Sequence, residues 1–112
     1  MMLTVVVYDI TDNTSRLHLI KKLQYFGLKR LQKSVFIGYL ELQERLDLAD
    51  ELNLYLSNDK DSVVIFPICE SCKNSILLEG NAHIPQNDLT YRFLWDYWLM
   101  DLINQWQKEI IR

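Results

Sequence analysis

Asp9 closes a run of apolar residues, LTVVVYD, and Asp12 follows three positions later in DITDN. A carboxylate held at the end of a stiff strand is a candidate ligand for a hard divalent cation, and such a cation neutralises charge on a phosphodiester. The same pattern also describes a strand leaving the core, because Asp begins turns and caps helices. Asp12 reads most simply as such a helix cap. Residues 13–40 contain no acid, whereas Arg16, Lys21, Lys22, Lys29, Arg30 and Lys33 are all basic. Half of the chain's 12 Lys and Arg thus fall in one quarter of its length. Residues 41–112 carry thirteen acids against six bases, although the net charge of the whole chain is only −3. This asymmetry describes a basic working face on an acidic body, suited to phosphate contacts. His18 lies among these cations and reads as solvated or phosphate-facing. Cys69-Glu-Ser-Cys72 is a lone C-x-x-C; a zinc site would need four thiols from two chains, and packing is the simpler reading.

The elements that position these residues follow from local pattern. Residues 3–9 are rich in β-branched and aromatic types and read as a strand, apolar on both faces. A helix follows over 13 to about 26, with Leu17, Ile20, Leu23 and Phe26 as its apolar stripe, and Gly27 stands where a helix end wants a left-handed residue. Residues 28–40 are too many for one typical strand and divide into strands at about 28–32 and 35–40, with a turn at Lys33-Ser34. A second amphipathic helix covers 42–56, with Leu42, Leu46, Ala49, Leu52 and Leu56 inward. Strands are expected at 62–68 and, shorter, at 75–80. Residues 81–90 form a linker, and residues 91–112 a long helix with Tyr91, Trp95, Trp98, Leu102, Trp106 and Ile110 near one stripe.

This order predicts an α+β fold, a ferredoxin-like βαββαβ sandwich with an additional fifth strand and a C-terminal helix. Two helices cover only one face of a four-stranded sheet, so the apolar second face predicts a homodimer packed sheet to sheet. At 112 residues, with 49% apolar and 24% charged, the chain reads as one globular domain: a core over 1–80, then linker and helix. No window has the ~18 apolar, uncharged residues of a membrane span. The sequence MMLTVVVYDI lacks a basic region and cleavage site for secretion, and two cysteines make no disulfide framework, so a cytoplasmic protein is expected.

Three stretches, VVVYDITDN, GLKRLQKSVFIGYL and SVVIFPICESC, together resemble the CRISPR-associated Cas2 family over about residues 3–80. The resemblance implies a homodimer whose fifth strands extend the partner's sheet, and a role in spacer acquisition beside the Cas1 integrase. It implies that Asp9 faces its two-fold mate and binds Mg²⁺ or Mn²⁺. Asp9 and Ser34 become the catalytic candidates, with Tyr8 and Phe36 supporting them. Arg16 and Arg30 would hold non-bridging phosphate oxygens, and Lys21, Lys22, Lys29 and Lys33 would extend the nucleic-acid surface. Two functions fit these residues. One is a metal-dependent endonuclease acting on single-stranded RNA or duplex DNA. The other is a non-catalytic scaffold that holds a duplex for Cas1. A toxin-type RNA interferase of similar fold fits the QKSVF segment less well. The final helix lies outside the family's common core and is expected to pack on the dimer.

Overall fold

The structure, a computed structural model, describes residues 1–85. The expected helix at 91–112 and the second half of the linker lie outside the described residues. The elements are β1 Met2–Asp9, α1 Asn13–Tyr25, β2 Lys29–Gln32, β3 Val35–Leu40, α2 Leu42–Asn53, β4 Ser62–Ile68 and the one-turn α3 Glu70–Lys73. The strands form a single antiparallel sheet in the order β2-β3-β1-β4. This is the predicted ferredoxin-like sandwich, with β3 between β1 and β2.

β1 alternates its side chains between two apolar layers. Val6 and Tyr8, with Ile10 just beyond, join Leu19, Leu23, Leu28, Phe36, Leu40, Leu48 and Leu52 in the main core under the helices. Leu3 and Val5 face the other way and pack with Ile37. Part of the cover on that second face comes from the chain itself, because Ile76 and Ile84 pack against this smaller cluster. The remainder is open: Val7, Val64 and Phe66 are 36%, 54% and 40% exposed.

Three expectations are corrected. Residues 75–80 form no strand in the single chain. After β4 the backbone coils into α3, and the Ser75 and Ile76 amides donate to the Cys72 and Lys73 carbonyls at 3.0 and 3.2 Å. A strand needs a neighbour for its N–H and C=O groups, and among the described residues this segment has none. The inward face of α1 centres on Leu19 and Leu23, while Leu17 is exposed. That of α2 centres on Leu48 and Leu52, while Leu42, Leu46 and Ala49 are exposed. In α1 the choice is made at the helix end, where the Gly27 and Leu28 amides donate to the Gln24 and Leu23 carbonyls at 3.0 and 3.1 Å. Gly27, at φ 87°, takes the left-handed position of this Schellman turn. The turn lays Leu28 over Leu23 in the core, and so fixes which face of α1 points inward.

Candidate functional site

The end of β1 is built around Tyr8. Its amide donates to the Ser34 carbonyl at 3.1 Å, and its hydroxyl donates to the Lys33 carbonyl at 3.1 Å. Its ring lies 6.2 Å from that of Phe36 inside the core. Tyr8 therefore ties the Lys33-Ser34 turn to β1 from the helix side of the sheet. The pleat then sends Asp9 to the opposite side, in register with Ser62 of β4 and on the face that carries Val7 and Val64. Asp9 is exposed, and no described residue hydrogen-bonds or ion-pairs with its carboxylate. Ser34 is half-buried, and its carbonyl is committed to Tyr8.

Two other acids near this end are already employed. Asp12 caps α1 by accepting from the Ser15 amide at 2.8 Å. That bond holds its carboxyl below the usual aspartate range. Asp61 accepts from the Thr11 amide at 3.0 Å, the Thr11 hydroxyl at 3.1 Å and the Ser57 amide at 3.1 Å. The Thr11 amide is the main cause of its lowered pKa. The Thr11–Asp61 tie joins residues fifty positions apart, and no local pattern in the sequence announces it. Among the described residues no group of three or more His, Cys, Asp or Glu could hold a metal ion. Of the three aspartates described at this end of the sheet, Asp9 alone is uncommitted. A carboxylate is the kind of oxygen donor that a hard cation takes, and such a cation keeps several of its waters.

The basic residues are not gathered at Asp9. Arg16 follows Asp9 on the first turn of α1, but its guanidinium folds back to donate to the Ile10 carbonyl at 3.4 Å and to the Asn13 side chain. Arg30 pairs with Phe36 in the ladder and lies 5.3 Å over its ring, on the helix side of the sheet. With Val6 opposite Phe36, Arg30 is two strands across from β1 and three residues short of Asp9. Those offsets amount to roughly 10 Å each way, so Arg30 and its own Asp9 do not share one phosphate. Lys22 lies 3.7 Å from Glu51 and covers the Tyr25 ring at 5.4 Å. Lys21, Lys29 and Lys33 are exposed, and no acid among the described residues pairs with them.

A profile of the family described as "CRISPR associated protein Cas2" matches residues 1–76. The chain is 39% identical over 83 residues to "CRISPR-associated endoribonuclease Cas2 1" of Archaeoglobus fulgidus, spanning 74% of this chain and 88% of that protein. It is 43% identical over 65 residues to "CRISPR-associated endoribonuclease Cas2" of Korarchaeum cryptofilum, spanning 58% and 70%. Among solved structures it resembles a hypothetical protein, TT1823, of Thermus thermophilus, with a TM-score of 0.64, 30% identity and coverage of 76% and 98%. Streptococcus pyogenes Cas2 shares the fold, with a TM-score of 0.58 at 20% identity over 70% of this chain and 100% of that one.

Proposed function

The chain belongs to the CRISPR-associated Cas2 family, and from that membership we propose that it works as a homodimeric, metal-dependent endonuclease on RNA. The observation that carries this reading is the state of Asp9: exposed, uncommitted, and on the same face as the uncovered patch of Val7, Val64 and Phe66. Two copies joined through that patch would bring two Asp9 carboxylates near a common axis. RNA as substrate is supported by the endoribonuclease names of the relatives.

The division of labour among the chain's own residues follows from their placement. Asp9 and its copy would hold Mg²⁺ or Mn²⁺ with two carboxylates. When bound, such an ion supplies a bound water of lowered pKa and neutralises charge on the phosphodiester. Tyr8 and Phe36 hold the Lys33-Ser34 turn beside the site, and the exposed Lys33 meets the phosphate chain there. Arg16 stiffens the β1–α1 junction from the Ile10 carbonyl. Arg30, Lys21 and Lys29 contact phosphates farther along the strand, as point charges without base reading.

Asp9→Asn keeps the shape of the side chain and removes the anionic donor. Several kcal/mol of metal-supplied stabilisation would be lost, so cleavage of single-stranded RNA in Mg²⁺ or Mn²⁺ is expected to fall at least about a hundredfold. Binding, measured by fluorescence anisotropy, is expected to stay within about threefold, because the affinity comes from the cations. Cleavage at the wild-type rate by the purified variant would sink the nuclease reading.

One observation favours a second reading. Lys29 and Arg30 lie two strands across from β1, away from a metal site that each chain only half supplies, as suits a scaffold that holds duplex DNA for a Cas1 integrase. In that case wild-type protein binds duplex DNA and cleaves neither nucleic acid, and Asp9→Asn leaves spacer acquisition intact.

A further inference from the structure

The turn that follows β4 carries two thiols with no part in phosphodiester chemistry. Cys69 is the N-cap of α3, with extended backbone at φ −71° and ψ 165°, and Cys72 is the third residue of that turn. The Lys73 amide donates to the Cys69 carbonyl at 2.8 Å and the Asn74 amide to the Glu70 carbonyl at 3.1 Å, so the backbone between the cysteines is helical. Side chains three apart on such a turn are neighbours, with Cβ atoms about 5–6 Å apart. A disulfide needs about 3.5–4.5 Å, a gap that a small backbone adjustment closes. Both thiols are free and exposed. The Cys69 sulfur also lies 4.0 Å from the Ser71 hydroxyl.

We propose that Cys69 and Cys72 form a redox-active pair that closes reversibly to an intramolecular disulfide by exchange with a low-molecular-weight disulfide of the glutathione class. The two thiols are unequal in the way such exchange requires. The Cys72 amide, aided by the Cys72 thiol, holds the Cys69 thiol below the ordinary cysteine value, whereas its bond to Cys69 pushes the Cys72 thiol up. Cys69 is the attacking thiolate. Its sulfur bonds to one sulfur of the small disulfide, whose S–S bond breaks and releases one thiolate. Cys72 then gives up its proton and attacks the Cys69 sulfur, expelling the second small thiolate. The pair loses two electrons and two protons, and the small disulfide becomes two thiols.

The closed form staples the turn from which residues 75–85 cross the open face of the sheet. Lys73, one residue beyond Cys72, lies 5.0 Å over the Tyr39 ring on that face, and Ile76 and Ile84 pack against the cluster beneath. Oxidation therefore fixes the exit of this segment on the side of the sheet where Asp9 stands.

The test uses the full chain, reduced and then equilibrated in buffers of graded oxidised-to-reduced glutathione ratio. Samples are quenched in acid, alkylated and weighed by intact-mass spectrometry. The expected product is a monomeric chain two hydrogens lighter, with neither cysteine alkylated, and reversion on adding a dithiol. Cys72→Ser is expected to trap glutathione on Cys69, and Cys69→Ser to acquire it on Cys72 several-fold more slowly at neutral pH. Equal rates in the two variants would overturn the proposal. So would products limited to single glutathione adducts or disulfides between chains. Zinc that co-purifies with the chain and protects both thiols from the oxidised buffer would also overturn it.

Discussion

Hydrogen bonding divides three aspartates near the end of β1 between architecture and chemistry. Asp12 and Asp61 accept backbone N–H groups, and Asp9 accepts nothing from the described chain. The acid response of the fold belongs to the first two. Their carboxyls titrate below the usual aspartate value of about 3.9 in the folded chain. The unfolded chain therefore binds protons first as pH falls. The stabilisation is complete above the unfolded value and is lost as pH drops through the lower folded one. Asp61→Ala is expected to lower the melting temperature at neutral pH and to flatten its decline between about pH 4 and pH 2. Thermal scans across that range check it, and an acid limb as steep as the wild type's would contradict the assignment. Asp9 was legible as a candidate because a carboxylate closing an apolar strand is a local pattern. Its separation from Arg30 was not legible, since a two-strand offset depends on sheet order.

At the scale of elements, patterns written into adjacent residues were readable and choices between packing faces were not. β1, β4, both long helices and the division of residues 28–40 at Lys33-Ser34 follow from residue type and spacing. Each long helix, however, has enough Leu and Ile to offer two stripes, and contacts elsewhere select one. For α1 that contact is the Leu28 fold-back, and Gly38 on β3 makes room for it. A Cβ at Gly38 would stand 2.6 Å from Leu28 Cδ2, 3.1 Å from Leu28 Cα and 3.3 Å from the Gly27 carbonyl. The side-chain methyl can swing aside, but the backbone atoms must shift. Gly38→Ala is expected to cost about 1–3 kcal/mol, read as a lower denaturant midpoint at unchanged slope. A loss below about 0.5 kcal/mol would mean that the 27–28 turn yields freely. The segment at 75–80 was unreadable for another reason: a strand exists only with a neighbour to pair with.

At the scale of the molecule, the sheet has one face closed by helices and one face partly closed by the chain's own residues 76–84. Among the described residues, Val7, Val64 and Phe66 remain as an apolar patch beside an unpaired acid, and no strand lies against the outer edge of β4. In the proposed homodimer this patch is the interface. Phe66→Lys is expected to shift sedimentation from dimer to monomer and to lower RNA cleavage with it. The melting temperature of the monomer should change little, because Phe66 is already 40% exposed. A lysine variant that still sediments as a dimer would place the interface elsewhere.

The opposed aims of Tyr8 and Asp9 also impose a rule of parity on the gene. Deleting one codon between Leu3 and Val7 would break the alternation: with Tyr8 and Asp9 held by the Lys33-Ser34 turn and β4, the residues before the deletion would change faces, even though the reading frame survives. Deleting two codons shortens the strand and leaves those residues on their own faces. Length changes in the first strand therefore count as odd or even before they count as long or short.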